Sequence, residues 1–396
     1  MRILPIHQAR RQDMRISIIG AGHMGSAIAQ ELIGHEEVTV VRVCDAHTRS
    51  LQSLHNRLDS PKLRSFQVDA RDERTMASIL EDSNCVIGAT DPALYPKLAR
   101  IALTSGSHFC DLGSSAPVLE KEYHLSERAA EKSLWVVPNC GLDPGLSNML
   151  CLHAIRQFDE PIRAHLRVGD VPLEPEPPFN FRISWSAEKL VDDYTLPVEY
   201  MEEGQKLSTS PLTGIEDISF SEPFSDMEAF HTAGLLKTIC EVAGPSLKTI
   251  DHKSIRWPGH ARNMQFLLAL GFAEQKIIDV QSHLTYRDVL TRRLKQRLGG
   301  AYEDAVLVRI SVFGHKDGQD AELVYEMIQQ FDRERNMTAI RRCTSITAAT
   351  IALQLASGAV PGGGVCPPEQ IVPLRTFFDN VRAAGLPVET RWTEPR

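Results

Sequence analysis

A strand, a glycine turn, a helix, a second strand and an acid, in that order, constrain this chain more than any other stretch of it. Met14-Arg-Ile-Ser-Ile-Ile runs into Gly20-Ala-Gly22-His23-Met24-Gly25, a G-x-G-x-x-G signature, and residues 26–33 follow with helical spacing and no proline. Residues 38–44 then read as a buried parallel strand with Asp45 at its carboxyl end, about twenty residues beyond the glycines. Each part has a physical task. Gly20 permits the tight turn, Gly22 lets a pyrophosphate approach the backbone, and Gly25 lets helix and strand pack closely. His23 and Met24 open the helix, whose first N–H groups point at the phosphates. Asp45 is placed to accept hydrogen bonds from a ribose hydroxyl, and its charge repels a 2′-phosphate. Ala46, His47 and Thr48 follow, with Arg49 a helical turn on, so the reading favours NAD over NADP.

The chain has room for two domains: 396 residues, 42% hydrophobic and 24% charged, an ordinary globular composition. A formal net charge of −8 argues against nucleic acid or an anionic membrane as the main partner. The eight cysteines carry no C-x-x-C pair, which suits reduced thiols in a cytoplasmic protein rather than disulfides or structural zinc. No apolar run reaches the length of a membrane span. Residues 1–13 read as an upstream extension.

After Asp45 strands and helices alternate. Strands are expected at 65–68, 85–90, 108–113 and 134–137, and helices at 47–58, 73–81, 92–106 and 118–132. This rhythm predicts an α/β fold with a doubly wound parallel sheet. Ligands of such sheets sit beyond the carboxyl ends of the strands, which makes Thr90, Asp111 and Asn139 candidates. Past residue 160 the texture changes. Residues 163–168 and 179–186 alternate polar and apolar around a proline-rich connector. Further strands are expected at 215–220, 253–257 and 305–313, and helices near 234–243, 259–272 and 283–298, giving a mixed sheet of α+β type. Helices at 344–357 and 372–384 flank the break at Pro361-Gly-Gly-Gly364 and are expected to pack back on the nucleotide domain.

Local chemistry adds further candidates. Asp143, just before Pro144, reads as a helix N-cap. Arg256 at a strand end offers a planar fork for a carboxylate. His231 and His260 can exchange protons near neutrality. Asp111 can hold an ammonium group or accept its proton.

Several of these segments, in one order, resemble a known family. Gly141-Leu-Asp-Pro-Gly145, Ser184-Trp185-Ser186 and Arg256-Trp-Pro-Gly259 look like the saccharopine dehydrogenase (reductase) and lysine 6-dehydrogenase group. His108-Phe-Cys-Asp-Leu-Gly113, Glu174-Pro-Glu-Pro-Pro-Phe-Asn180, Phe230-His-Thr232 and Ser254-Ile-Arg-Trp-Pro-Gly-His260 resemble the lysine 6-dehydrogenase branch more closely. Gly363-Gly-Val-Cys-Pro-Pro-Glu369 matches the family's usual ending, and the resemblance runs over nearly the whole chain from Met14.

The resemblance implies a Rossmann domain built from residues 14–145 and 336–396, with an α+β substrate and dimerisation domain, 146–335, inserted between. It implies an enzyme of amino-acid metabolism that oxidises a carbon–nitrogen bond with NAD(P), most like lysine 6-dehydrogenase, and assembly as a homodimer. Gly20, Gly22, Gly25 and Asp45 then bind the dinucleotide, with Asp69 near the adenine. Arg256 holds a substrate carboxylate, Trp185 and Ser186 belong to the substrate-domain sheet, and Asn139 lies beside the substrate. The amine must lose a proton before its carbon releases hydride, and Asp111, then His231, are the expected bases. One segment departs from the pattern. Ala233-Gly-Leu-Leu-Lys-Thr-Ile239 carries two leucines and a lysine where the family is small and glycine-rich, which bears on the substrate. A saccharopine-type opine dehydrogenase, with Arg182 and Lys237 as extra carboxylate holders, remains the nearer alternative, and an NAD-binding protein without turnover the farther one.

Overall fold

The computed structural model describes residues 13–393 except 114, 184, 185, 234–236 and 280, and leaves the side chain of Lys237 undescribed. The chain divides into two compact units: Met1–Gly141 with Thr344–Pro373, and Leu142–Cys343 with Leu374–Arg396.

The first unit follows from the βα alternation. Its strands β1 (Met14–Ile19), β2 (Val38–Asp45), β3 (Leu63–Gln67), β4 (Cys85–Gly88), β5 (His108–Asp111) and β6 (Trp135–Val137) form one parallel sheet in the order β6-β5-β4-β1-β2-β3. A short seventh strand, Gly364–Val365, adds beside β6 in parallel. β1 and β4 are buried almost throughout because helices cover both faces of such a sheet. Tyr95, Leu98, Phe109 and Val136 lie in the resulting core. The order reverses at β1, and helix α1 (His23–Ile33) starts there. That is the crevice where ligands of doubly wound sheets bind.

The second unit is a nine-stranded mixed sheet with helices. Its centre is Glu160–Pro172, flanked in parallel by Thr249–Arg256 and antiparallel by Asp304–Lys316. A long hairpin pairs Asp304–Lys316 with Gln319–Gln330, closing at Lys316↔Gln319. Phe181, Tyr194, Phe230, Met264 and Leu290 pack together beside the sheet, bringing in helices Ala187–Asp193, His260–Ala269 and Tyr286–Leu298.

Alternation along Thr249–Arg256 sorts charge between the two faces of this sheet. His252, Ser254 and Arg256 share one face with Phe230 and Glu228, their partners on Met227–His231. Asp251 and Lys253 lie on the other with His231. There Arg167 donates to Asp251 at 2.9 Å and Lys253 to Glu216 at 2.5 Å. Burial would raise the Asp251 carboxyl, but hydrogen bonding from His165 and the Arg167 charge hold it well below the usual range.

Three expectations are corrected here. Residues 179–183 form no strand: the alternation holds, with Phe179, Phe181 and Ile183 packed on the helical cluster, but among the described residues the segment pairs with no strand. The stretch 118–132 is two helices, Ala116–Tyr123 and Ser126–Glu131. The last helix, Leu374–Ala383, and the strand Val388–Thr393 belong to the second unit, where that strand pairs with Gln319–Gln330. A strand at the chain end completes a sheet edge, a long-range pairing that helical periodicity does not reveal. Among the described residues no helix is long and apolar enough to cross a membrane.

Gly169 marks the tightest backbone approach in the mixed sheet. A Cβ there would lie 2.2 Å from the Ile255 carbonyl oxygen, so an added methyl must push two strands apart. We expect Gly169→Ala to lower stability by about 1–3 kcal/mol in urea denaturation.

Candidate active site

The nucleotide half of the site is set by backbone geometry. Gly20 has φ 112°, and a Cβ on it would meet the Ala89 carbonyl oxygen at 2.2 Å. At Gly25 a Cβ would lie 1.9 Å from the Gly20 carbonyl oxygen. Gly22 differs: nothing lies within 4 Å of its missing side chain, so the backbone is open to a phosphate. Gly22 is also the N-cap of α1 and provides no side-chain cap, leaving first-turn N–H groups for an anion. His23 is exposed and Met24 half-buried in that first turn. The Asp45 carboxylate accepts the Ala21 N–H and the His47 N–H, each at 2.7 Å, and is thereby held at the end of β2. Thr90 follows β4, half-buried. Asp69, exposed just past β3, accepts the Arg71 N–H at 2.8 Å. These residues fit a dinucleotide: glycines where side chains would collide, an open phosphate seat and a fixed acid for a ribose.

Asp111 and Asn139 end β5 and follow β6. Asp111 is fully buried, and its Oδ1 accepts the N–H of Gly113 at 2.8 Å and of Asn139 at 3.2 Å. Asn139 is buried too, at φ 66°. The Asp111 carboxyl meets that of Glu122, which is equally buried. Two carboxyls in one dry place cannot both ionise. Burial pushes Asp111 up to about 7 and Glu122 to about 10, so the pair holds a proton. Asp111 therefore works inward on its loop, and nothing of its carboxyl is open to solvent.

The second unit holds a polar cluster on the His252–Arg256 face of its sheet. Arg256 is 4% exposed, lies 3.7 Å from the equally buried Asp170, and covers the Phe181 ring at 4.6 Å. It is a buried cation that faces a carboxylate of the protein itself. Beside it Tyr194 and the Nε2 of His260 share a hydrogen bond of 3.0 Å. The His260 Nδ1 meets the Phe179 carbonyl at 2.8 Å. Burial, then the Arg256 charge, lowers His260 to about 3, so this histidine is a neutral core group.

Asp143 does not cap the following helix; Gly145 holds that position for Leu146–Ile155. Instead the Asp143 carboxylate accepts the Ser147 hydroxyl at 2.6 Å and the His252 Nε2–H at 2.7 Å. Burial would lower the His252 imidazolium, but the adjoining carboxylate reverses this and holds it above the ordinary histidine value. Asp193, near Asp143 and Arg256, ion-pairs with Lys189. Thr232 and Ser254 link by their hydroxyls at 2.8 Å on the same face.

Other expected members are not brought to this cluster. His231 lies on the opposite face of the sheet, stacked on Tyr200 with ring centroids 5.5 Å apart. Ser186 is an exposed N-cap of Ala187–Asp193, accepting the Lys189 N–H at 3.2 Å, and no part of a sheet. Trp185 lies outside the described residues. His252 carries no motif. Its only sequence signal was its place two and four residues before Ser254 and Arg256, which share its face once the segment is a strand.

A glycine turn open to a phosphate on a doubly wound parallel sheet, followed in the chain by a mixed sheet with a buried polar cluster, defines a two-unit protein of the dinucleotide-binding class. The chain belongs to the saccharopine dehydrogenase family: residues 16–136 match the saccharopine dehydrogenase NADP binding domain and residues 141–386 the saccharopine dehydrogenase C-terminal domain. Carboxyaminopropylagmatine dehydrogenase of Synechocystis is 22% identical over 94% of this chain and 96% of its own length. Bovine mitochondrial alpha-aminoadipic semialdehyde synthase is 20% identical over 65% of this chain, and the match spans only 28% of that longer protein. Among solved structures, apo saccharopine dehydrogenase (L-Glu forming) of Saccharomyces cerevisiae shares the fold with TM-score 0.80 at 14% identity, covering 96% of this chain and all of that one (100%). Homospermidine synthase of Legionella pneumophila, solved with NAD, has TM-score 0.67 at 14% identity, covering 96% and 92% of the two chains.

We expect Gly25→Ala to abolish measurable NAD binding in calorimetry and to lower the melting temperature, since its Cβ has no room against Gly20.

Proposed function

We propose that the protein catalyses NAD-linked oxidation of a carbon–nitrogen bond in a basic amino acid, removing the side-chain amine in the manner of lysine 6-dehydrogenase. The observation that carries the substrate class is the charge around Arg256. Arg256 and His252 are buried and each faces a carboxylate, Asp170 or Asp143. The acids of the cluster that reach solvent are Asp143, 24% exposed, and Asp193, 18% exposed. Lys189 is the more exposed cation, at 47%, and it already holds Asp193. Such a lining favours an ammonium-bearing ligand over one rich in carboxylates.

A bound oxidised dinucleotide supplies the hydride acceptor. The chain's own residues orient the amine, exclude water and take the proton that the ammonium must lose, because a protonated nitrogen has no electron pair for imine formation. NAD is favoured over NADP by Asp45, whose carboxylate repels a 2′-phosphate.

An opine-type reaction, cleaving a secondary amine that joins two amino acids, is the second reading. It is favoured by the structural neighbour named saccharopine dehydrogenase (L-Glu forming). Its substrate carries three carboxylates and calls for more cations. Arg182, one expected holder, is paired to Glu176 at 2.6 Å, and the Lys237 side chain is undescribed.

The test is NADH formation with lysine, saccharopine and diamines, with product analysis. Ammonia release from lysine supports the first reading and glutamate release from saccharopine the second. NAD binding without turnover of any of them would overturn both.

A further inference from the structure

We propose that His252, oriented by Asp143, is the group that accepts the proton from the substrate amine. The proposal rests on the reading of the reaction as amine oxidation, and it replaces both bases expected from the sequence. Asp111 shares a proton with Glu122 and is bonded to the backbone of Gly113 and Asn139, and His231 points from the other face of the sheet.

The geometry is that of an oriented base. The Asp143 carboxylate is fixed through one oxygen by Ser147, at 2.6 Å, and through the other by the His252 Nε2–H, at 2.7 Å. This bond fixes the tautomer: Nε2 carries the hydrogen, and Nδ1 keeps its lone pair. Among the described residues Nδ1 is buried and has no hydrogen-bond partner, a state it shares with Nδ1 of His231; what sets His252 apart is the carboxylate held on its other nitrogen. Ser254 and Arg256, on the same face of the strand, continue the polar lining from His252.

Atoms balance in a single proton transfer. The substrate ammonium loses one N–H proton to Nδ1, the neutral imidazole becomes imidazolium, and Asp143 meets the new positive charge. The freed nitrogen pair is then available for imine formation, for which a bound oxidised dinucleotide would supply the hydride acceptor.

His252 is reached electrostatically from several elements. Asp143 and Asp251 favour its protonated form, and Arg167, from the strand Glu160–Pro172, opposes it. Lys189, from the helix Ala187–Asp193, acts on Asp143. The net effect holds the imidazolium above its ordinary value. A base so placed is competent only once deprotonated, so activity rises with pH through a limb above about 6.5.

The experiment follows the His252 ring signal by NMR across pH, alone and with NAD plus lysine, beside pH–rate profiles of wild type, Asp143→Asn and His252→Gln. We expect the wild-type ring to titrate above the ordinary histidine range and to shift on adding lysine. Asp143→Asn should bring both that titration and the kinetic limb to lower pH. His252→Gln, which keeps one amide hydrogen bond to Asp143, should lose the limb and about 100-fold or more in kcat. An unchanged limb with kcat within about 3-fold in His252→Gln, in a protein whose melting temperature is unchanged, would overturn the proposal while leaving the amine-oxidation reading intact. Should His252→Gln not fold, the Asp143→Asn profile decides: a limb that does not move refutes the assignment. A ring that responds to lysine in a protein with no turnover supports the proton-accepting site and refutes the reaction reading.

Discussion

The strand Thr249–Arg256 is the constraint on which the second unit depends. Both its edges are bonded, to Met227–His231 and to Glu160–Pro172, so its register cannot slip. A shift of one residue would exchange its two faces. Buried charges make such an exchange costly. Arg256 has Asp170, His252 has Asp143, and Lys253 has Glu216, each on its proper side. Removing one partner of the Arg256–Asp170 pair, both 4% exposed, strands the other in a dry place, a cost of about 3–5 kcal/mol. The pairs therefore specify register, and register places the chemistry.

Charge compensation also shows what residue type alone does not reveal about the expected site residues. Arginine at a strand end has the form of a carboxylate clamp, yet Arg256 is spent within the protein on Asp170 and on the Phe181 ring. Asp111, at the end of β5, has the position of a base, yet it turns inward to Glu122 and to the backbone of Gly113 and Asn139. In both cases the partner lies distant in sequence or carries no motif.

The nucleotide unit behaves differently because its recognition is backbone chemistry. Glycines at 20, 22 and 25 act through the absence of a side chain, and that absence is written directly in the sequence. The carboxylate of Asp45 is held by N–H groups of Ala21 and His47, both local to the motif or two residues away. Few distant contacts are needed for such a site to be read in one dimension.

The sequence by itself determined the parallel sheet, its glycine turn and acid, the change to a mixed sheet after residue 160, and the family to which the chain belongs. These rest on short-range periodicity and on spacing that survives without coordinates. Only the tertiary structure decided that His231 and Arg256 occupy opposite faces, that Ser186 caps a helix, and that the last strand, Val388–Thr393, completes the second unit's sheet. Only it brought Asp143 to His252, 109 residues away. The physical reason is common to all of these. Which face a strand presents, and which charge meets which, are settled by long-range pairing, and no local pattern encodes the partner.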